Sequence, residues 1–169
     1  MNDAPYRILF VCMGNICRSP TAHGVLEHQA RQKGWQDLLQ VDSAGTHNYH
    51  PDSAPDLRTQ RHARQRGYEL SGLRARQITQ DDLERFDLIL AMDSENLRLT
   101  RSLCSPHQLE KVKPFVAFLK KEQASSVPDP YYGGQEGFEH VLDLIEDGVE
   151  GLMAHLEQSV MKERWGQDL

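Results

Sequence analysis

Residues 8–20 read Ile8-Leu9-Phe10-Val11-Cys12-Met13-Gly14-Asn15-Ile16-Cys17-Arg18-Ser19-Pro20. The four apolar residues at its start form the pattern of a strand buried on both faces. Pro20 is well placed in the first turn of a helix, where its missing N–H costs little. Working outward, that helix is predicted to run to about Lys33 and stop at Gly34, with Val25, Leu26 and Ala30 inward. Leu39 to Val41 reads as a second strand, and Asp56 to about Arg66 as a polar helix ending at Gly67. Leu88 to Ala91 is the third strand, followed by a helix capped by Asp93 or Ser94 and running to about Leu103. Val112 to Phe115, interrupted by Pro114, is a weaker fourth strand. The last helix is expected from Phe138 to about Met161, with Val141, Leu142, Ile145, Val149, Leu152, Leu156 and Val160 at helical spacing. Gly148 and Gly151 weaken it locally. Residues 124–134 carry Ser125, Ser126, Pro128, Pro130, Gly133 and Gly134 and read as a loop. Strands alternating with helices imply an α/β fold: one three-layer domain over residues 1–169, with a four-stranded parallel sheet flanked by helices. Such sheets bind ligands at the carboxyl ends of their strands, and the first strand ends at Cys12.

The length of 169 residues suits one domain, and 38% hydrophobic residues suffice for its core. A formal net charge of −6 argues against a nucleic-acid partner, since a phosphate backbone would repel it. No apolar run is long enough to span a bilayer, and the N-terminus shows no secretory pattern. With three cysteines, too few and too scattered for a disulfide scaffold, a reducing cytoplasm is the expected location. Charge is uneven. Six arginines and a single acid, Glu69, lie between Arg58 and Arg76, whereas residues 129–169 hold ten acids and two bases. Two solvated faces that partly compensate each other account for this.

The chemistry is concentrated in residues 12–19. A loop between a buried strand and a helix can curl so that its backbone N–H groups point inward as an anion nest. The positive end of the helix aims at the same point. Gly14 and Asn15 tolerate the backbone this demands. Arg18 can grip two phosphate oxygens with its planar fork. Cys12 would sit beneath the bound phosphorus, in a setting that favours a thiolate nucleophile. The bland alternative is a strand-to-helix turn with two small buried cysteines. Cys-x5-Arg spacing alone is weak evidence, and the strand–loop–helix context strengthens it.

Val11 to Pro20 resembles the phosphate-binding loop of the low molecular weight protein tyrosine phosphatases. Asp129-Pro130-Tyr131-Tyr132-Gly133 resembles that family's general-acid loop. Asp42-Ser43-Ala44-Gly45-Thr46, Ala75-Arg76-Gln77-Ile78-Thr79 and Met92-Asp93 are similar to further family segments in the same order, so the resemblance spans roughly residues 6–160. It implies a flavodoxin-like domain of the phosphotyrosine protein phosphatase I type. It also implies that Cys12 is the nucleophile, Arg18 the transition-state clamp and Asp129 the general acid. Met13, Gly14, Asn15, Ile16, Cys17 and Ser19 would form the substrate-binding loop, with the Ser19 hydroxyl on the Cys12 thiolate. Asn15 and Ser43 would hold the loop's shape, and Tyr49, Tyr131 and Tyr132 would flank the substrate. Read without the resemblance, Asp129 is a turn residue, Ser19 a helix cap and Tyr49 a loop-packing side chain. A family branch acting on phosphoarginine carries Thr where this chain has Ile16, so Ile16 favours phosphotyrosine. Leu73 stands where the family often has a histidine tied to the phosphate loop.

The implied substrates are tyrosine-phosphorylated proteins or small aryl phosphates, with phosphate as product and inhibitor, and the chain is expected to act as a monomer. No cofactor is expected, because Arg18 and the loop amides do the work a metal could do. The eight histidines include no metal-binding motif. Two rivals remain. A thiol-dependent arsenate reductase would need a redox cysteine pair later in the chain, where only Cys104 is present. A non-catalytic phosphotyrosine-binding module would lack the nucleophile or the acid.

Overall fold

In the computed structural model, which describes residues 4–166, the opening apolar run forms β1 (Tyr6–Cys12), and Ile8, Leu9, Phe10 and Val11 are fully buried. Burial of this kind requires a strand on each edge and helices on each face. β1 pairs in parallel with β2 (Leu39–Gly45) on one side and β3 (Leu88–Ala91) on the other. β4 (Val112–Pro114) extends the sheet beyond β3. The order β2-β1-β3-β4 is that of a flavodoxin-like doubly wound sheet.

Alternate residues of β1 feed two separate cores, as the two-residue period of a strand dictates. Ile8 and Phe10, with Leu88 and Leu90, pack under α1 (Arg18–Gln32) and α5 (Gln135–Leu156) through Val25, Leu26, Val141, Leu142 and Ile145. On the other face Leu9, Val11, Ala44, Ile89 and Val112 meet Leu83 of α3 (Gln80–Arg85), Phe86, and Leu97 of α4 (Ser94–Ser102). α2 (Leu57–Gln65) lies against α5. The uneven charge is partly neutralised here: Arg66, just past α2, reaches Glu139 at 2.8 Å, Asp143 at 3.0 Å and also Glu146, all on α5.

The four strands and the main helices lie where the sequence places them, with differences at their ends. β2 continues past Val41 to Gly45, because Asp42 to Gly45 pair with Leu9 to Cys12. α3 is additional; a reciprocal capping box between Thr79 and Asp82 starts it. β4 ends at Pro114, and Phe115 opens a 3-10 turn to Phe118. The last helix starts earlier, at Gln135, widens into a π turn over Glu157–Met161, and finishes as α6 (Lys162–Trp165). Gly148 and Gly151 are packing requirements of α5 rather than weak points alone. A Cβ at Gly148 would overlap the Phe115 ring, and one at Gly151 the Phe118 carbonyl.

Candidate active site

β1 and β3 end side by side, and the chain leaves them toward helices on opposite faces of the sheet, so a crevice opens at this switch point. The loop after Cys12 fills its floor. Cys12 Sγ lies 3.0 Å from Ser19 Oγ and accepts the Asn15 N–H at 3.3 Å. Asn15 makes the tight turn, with φ 59°, a left-handed conformation that asparagine tolerates better than most residues. Its side chain closes the loop: Nδ2 donates to Ser19 Oγ at 2.7 Å, and Oδ1 accepts the Arg76 N–H at 3.0 Å. Asn15 and Ser19 are buried and stand behind the loop rather than in its mouth.

The segment after β2 braces the other side. Thr46 N–H donates to the Cys12 carbonyl at 2.8 Å and His47 N–H to the Met13 carbonyl at 3.1 Å. A Cβ on Gly45 would sit 2.6 Å from that Met13 carbonyl, so the approach requires glycine. Ser43 stands opposite Phe10, lower in the sheet than the loop. Its hydroxyl pairs with His23 Nδ1 at 3.1 Å rather than with Asn15, and His23 Nε2 in turn lies 3.1 Å from Glu27. Ser43 thus supports α1 and β2 beneath the loop. Leu73 packs on the main core, and the backbone N–H of Arg76 supplies the support for Asn15.

Arg18, the first residue of α1, has only 3% of its surface exposed. Its Nη1 donates to Asp93 Oδ2 at 2.6 Å and to the Val127 carbonyl at 3.1 Å, while Nη2 is 3.7 Å from Asp129 Oδ2. Burial works against the guanidinium charge, but Cys12, Asp93 and Asp129 outweigh it and hold the group above its ordinary range. Asp93 has two duties, since its other oxygen caps α4 by accepting the Asn96 N–H at 2.7 Å. The cap is visible in the sequence; the ion pair, which joins residues far apart in the chain, is not.

Asp129 stands at the mouth with its carboxyl group partly exposed. Its Oδ1 accepts the Tyr131 N–H at 3.0 Å, which folds Asp129-Pro130-Tyr131 into a turn. Val127 N–H, bonded to the Met92 carbonyl at 2.8 Å, anchors this loop to the end of β3. The open cavity measures about 410 Å³. Cys12, Met13, Gly14, Cys17 and Arg18 line its floor, and Ile16, Tyr49, His50, Asp129, Tyr131 and Tyr132 its sides. Tyr49 stacks on His47 with ring centroids 4.9 Å apart, and Tyr131 meets Tyr132 edge-on at the rim. His50 is the wall residue that sequence reasoning missed; it lies in a histidine-rich loop with no motif to mark it. Cys17 is buried at the cavity floor, and burial above all pushes its thiol up to about 12. Among the described residues, no group of three or more His, Cys, Asp or Glu is arranged to hold a metal ion, and no helix is long and apolar enough to cross a membrane.

The arrangement therefore combines a buried thiol with hydroxyl and amide donors, an arginine fork, a carboxyl group at the mouth and aromatic walls. Such a set can bind an aryl-bearing oxyanion, attack its centre and protonate a leaving oxygen. Comparison with known proteins gives the family. Residues 7–163 match the low molecular weight phosphotyrosine protein phosphatase family. A putative low molecular weight protein-tyrosine-phosphatase of Synechocystis is 44% identical, over 92% of this chain and 99% of its own. The low molecular weight protein-tyrosine-phosphatase YfkJ of Bacillus subtilis is 38% identical, over 89% and 96% of the two chains. The crystal structure of a protein tyrosine phosphatase from Entamoeba histolytica superposes with a TM-score of 0.89 at 36% identity, covering 92% of this chain and 99% of that one. The chain accordingly belongs to the low molecular weight phosphotyrosine protein phosphatase family and is a hydrolase of the protein-tyrosine-phosphatase class.

Proposed function

We propose that the protein hydrolyses phosphotyrosine and other aryl phosphates through a phosphocysteine intermediate on Cys12. The observation that carries this reading is the convergence of Cys12, Arg18 and Asp129 on one aromatic-walled cavity. Cys12 Sγ attacks phosphorus, while the Arg18 fork and the loop N–H groups take the equatorial oxygens, where charge accumulates in the transition state. Asp129 gives its proton to the departing phenolic oxygen. The ionised Asp129 then takes a proton from a water that attacks the phosphocysteine, releasing phosphate and regenerating the thiolate. Ser19 Oγ, 3.0 Å from the sulfur, supports the thiolate both before attack and after release.

Ile16, Tyr49 and Tyr131 offer an apolar slot for a flat ring, which favours a phosphotyrosine side chain over phosphoarginine. Cys104 packs on the core of the opposite sheet face, away from Cys12, which disfavours an arsenate reductase that needs a second thiol at the site. Its three free cysteines suit a reducing cytoplasm, and we assign it there as a monomer acting on tyrosine-phosphorylated proteins, with phosphate as product and inhibitor. We also read the site as redox-regulated, with Cys17, which lines the same cavity, capturing an oxidised Cys12. The direct test is release of p-nitrophenol from its phosphate in chelator-containing buffer. Cys12→Ser should abolish turnover and retain phosphate binding, since the amide nest and Arg18 remain. Turnover surviving in Cys12→Ser, or activity only toward arsenate with thioredoxin, would refute the reading.

A further inference from the structure

Arg58, in the first turn of α2, contacts the acid loop from outside the cavity. Its Nη2 donates to the Tyr131 carbonyl at 3.0 Å. The guanidinium carbon lies 5.4 Å from the centre of the Tyr131 ring and 4.9 Å from that of Phe138, so the planar group is held between the acid loop and the first turn of α5. Nε and Nη2 also bond the two oxygens of Asp56, at 3.1 and 2.9 Å. Asp56 is itself fixed: its carboxylate caps α2, and its N–H donates to the Ile16 carbonyl of the phosphate loop at 2.9 Å. A continuous set of bonds therefore runs from the phosphate loop through Asp56 and Arg58 to the Tyr131 carbonyl. The N–H of the same Tyr131 is the group that Asp129 Oδ1 accepts at 3.0 Å. Tyr131 is thus gripped on one side by Arg58 and on the other by the carboxyl group at the cavity mouth.

We propose that Arg58 is a positioning residue for proton donation: through Asp56 and Tyr131 it sets the distance between the Asp129 carboxyl group and the leaving oxygen held over the phosphate loop. Arg58 does not line the cavity, so it acts on the step that needs the proton and leaves anion binding alone. A planar group with two donor nitrogens is required, because Nε and Nη2 together hold the two oxygens of Asp56 while Nη2 also reaches the Tyr131 carbonyl; a lysine ammonium has a single nitrogen and cannot make all three contacts in this geometry. The proposal deepens the reading of Asp129 as general acid and rests on it.

The test compares phenyl phosphate, a poor leaving group, with p-nitrophenyl phosphate, a good one, in wild type, Arg58→Met, Arg58→Lys, Asp129→Asn and Asp129→Asn/Arg58→Met. Misplacing a catalytic group by an ångström can lower a rate by up to about 100-fold. We expect Arg58→Met to reduce kcat/KM, which reports the step that releases the leaving group, about tenfold for phenyl phosphate and about twofold for p-nitrophenyl phosphate, with the phosphate inhibition constant unchanged. Arg58→Lys, which retains charge and stem, should share the leaving-group pattern, and the Arg58 change should cost nothing further once Asp129 is Asn. If Asp129→Asn itself shows no leaving-group dependence, the acid assignment fails and the proposal with it. If Asp129→Asn shows the dependence but Arg58→Met lowers kcat/KM equally for both substrates, weakens phosphate inhibition, or adds its full effect to Asp129→Asn, the positioning role alone is overturned.

Discussion

Replacing Asn15 separates the two physical reasons for an asparagine at the turn of the phosphate loop. Both Asn15→Ala and Asn15→Gly remove the bonds to Ser19 Oγ and from the Arg76 N–H, which measure 2.7 and 3.0 Å. A hydrogen bond of this kind contributes about 1 kcal/mol net, so the shared loss is about 2 kcal/mol. The two variants then diverge. Alanine must adopt φ 59°, and its Cβ makes that conformation cost about 1–2 kcal/mol. Glycine escapes the strain but loses about 0.5–1 kcal/mol through its greater freedom in the unfolded chain. Destabilisation should come to about 3 kcal/mol for Asn15→Gly and nearer 4 kcal/mol for Asn15→Ala. Urea unfolding at constant m reads both, and p-nitrophenyl phosphate turnover should fall in the same order, because the strain is released by moving the loop that carries Cys12. An alanine variant as stable as the glycine variant would show that the left-handed turn does not select this residue. A loss below about 1 kcal/mol in both would show that the two side-chain bonds do not hold the loop.

Other consequences are equally accessible. Gly148→Ala should lower stability by about 1–2 kcal/mol despite alanine's better helix propensity, because its Cβ would press on the fully buried Phe115 ring; a raised midpoint in thermal unfolding would contradict the close approach. Asp82 is opposed by burial, yet Arg76 and the Thr79 N–H outweigh it and hold its carboxyl below the usual range. A lowered folded-state value stabilises above the ordinary value near 3.9 and is lost as pH falls through the folded one, so the gap between wild type and Asp82→Asn in urea should be full at pH 7 and shrink below about pH 4. Peroxide should inactivate the enzyme with a Cys12–Cys17 disulfide that thiol reverses, phosphate should slow the loss, and Cys17→Ser should make it largely irreversible. Peptide mapping without reductant that finds no linked pair, or full thiol recovery of Cys17→Ser, would refute the resolving role.

The fold was legible where a single local signal decides it. The Ile8–Val11 run has to be a central strand because it is apolar on both sides, and Phe138 to Leu156 repeats at helical spacing along its buried side. What the sequence hid was set by partners distant in the chain. Asp42 to Gly45 look too polar and small for a strand, yet their backbone pairs in register with Leu9 to Cys12 of β1. α3 is a short polar helix with no apolar period to mark it; only its Thr79–Asp82 cap could have suggested it. In the site, Cys12 and Arg18 stand out because they lie in a strand–loop–helix motif with a chemical purpose, whereas Asp129 stands out only through the resemblance of its loop; the structure brings the three to one cavity. Asp93 as the holder of Arg18, His23 as the partner of Ser43 and His50 as a wall do not stand out, since each depends on which strand ends adjoin at the switch point.

The central claim is that the phosphoryl group passes through Cys12. Rapid acid quench of the enzyme during turnover of p-nitrophenyl phosphate, followed by mass spectrometry of the peptides, tests it most directly. The account predicts a phosphoryl group on Cys12, absent in Cys12→Ser, and accumulating further in Asp129→Asn if that carboxylate activates the water of the second step. Phosphate found on another residue, or an unmodified Cys12 in an enzyme that turns over and is quenched within one cycle, would contradict it.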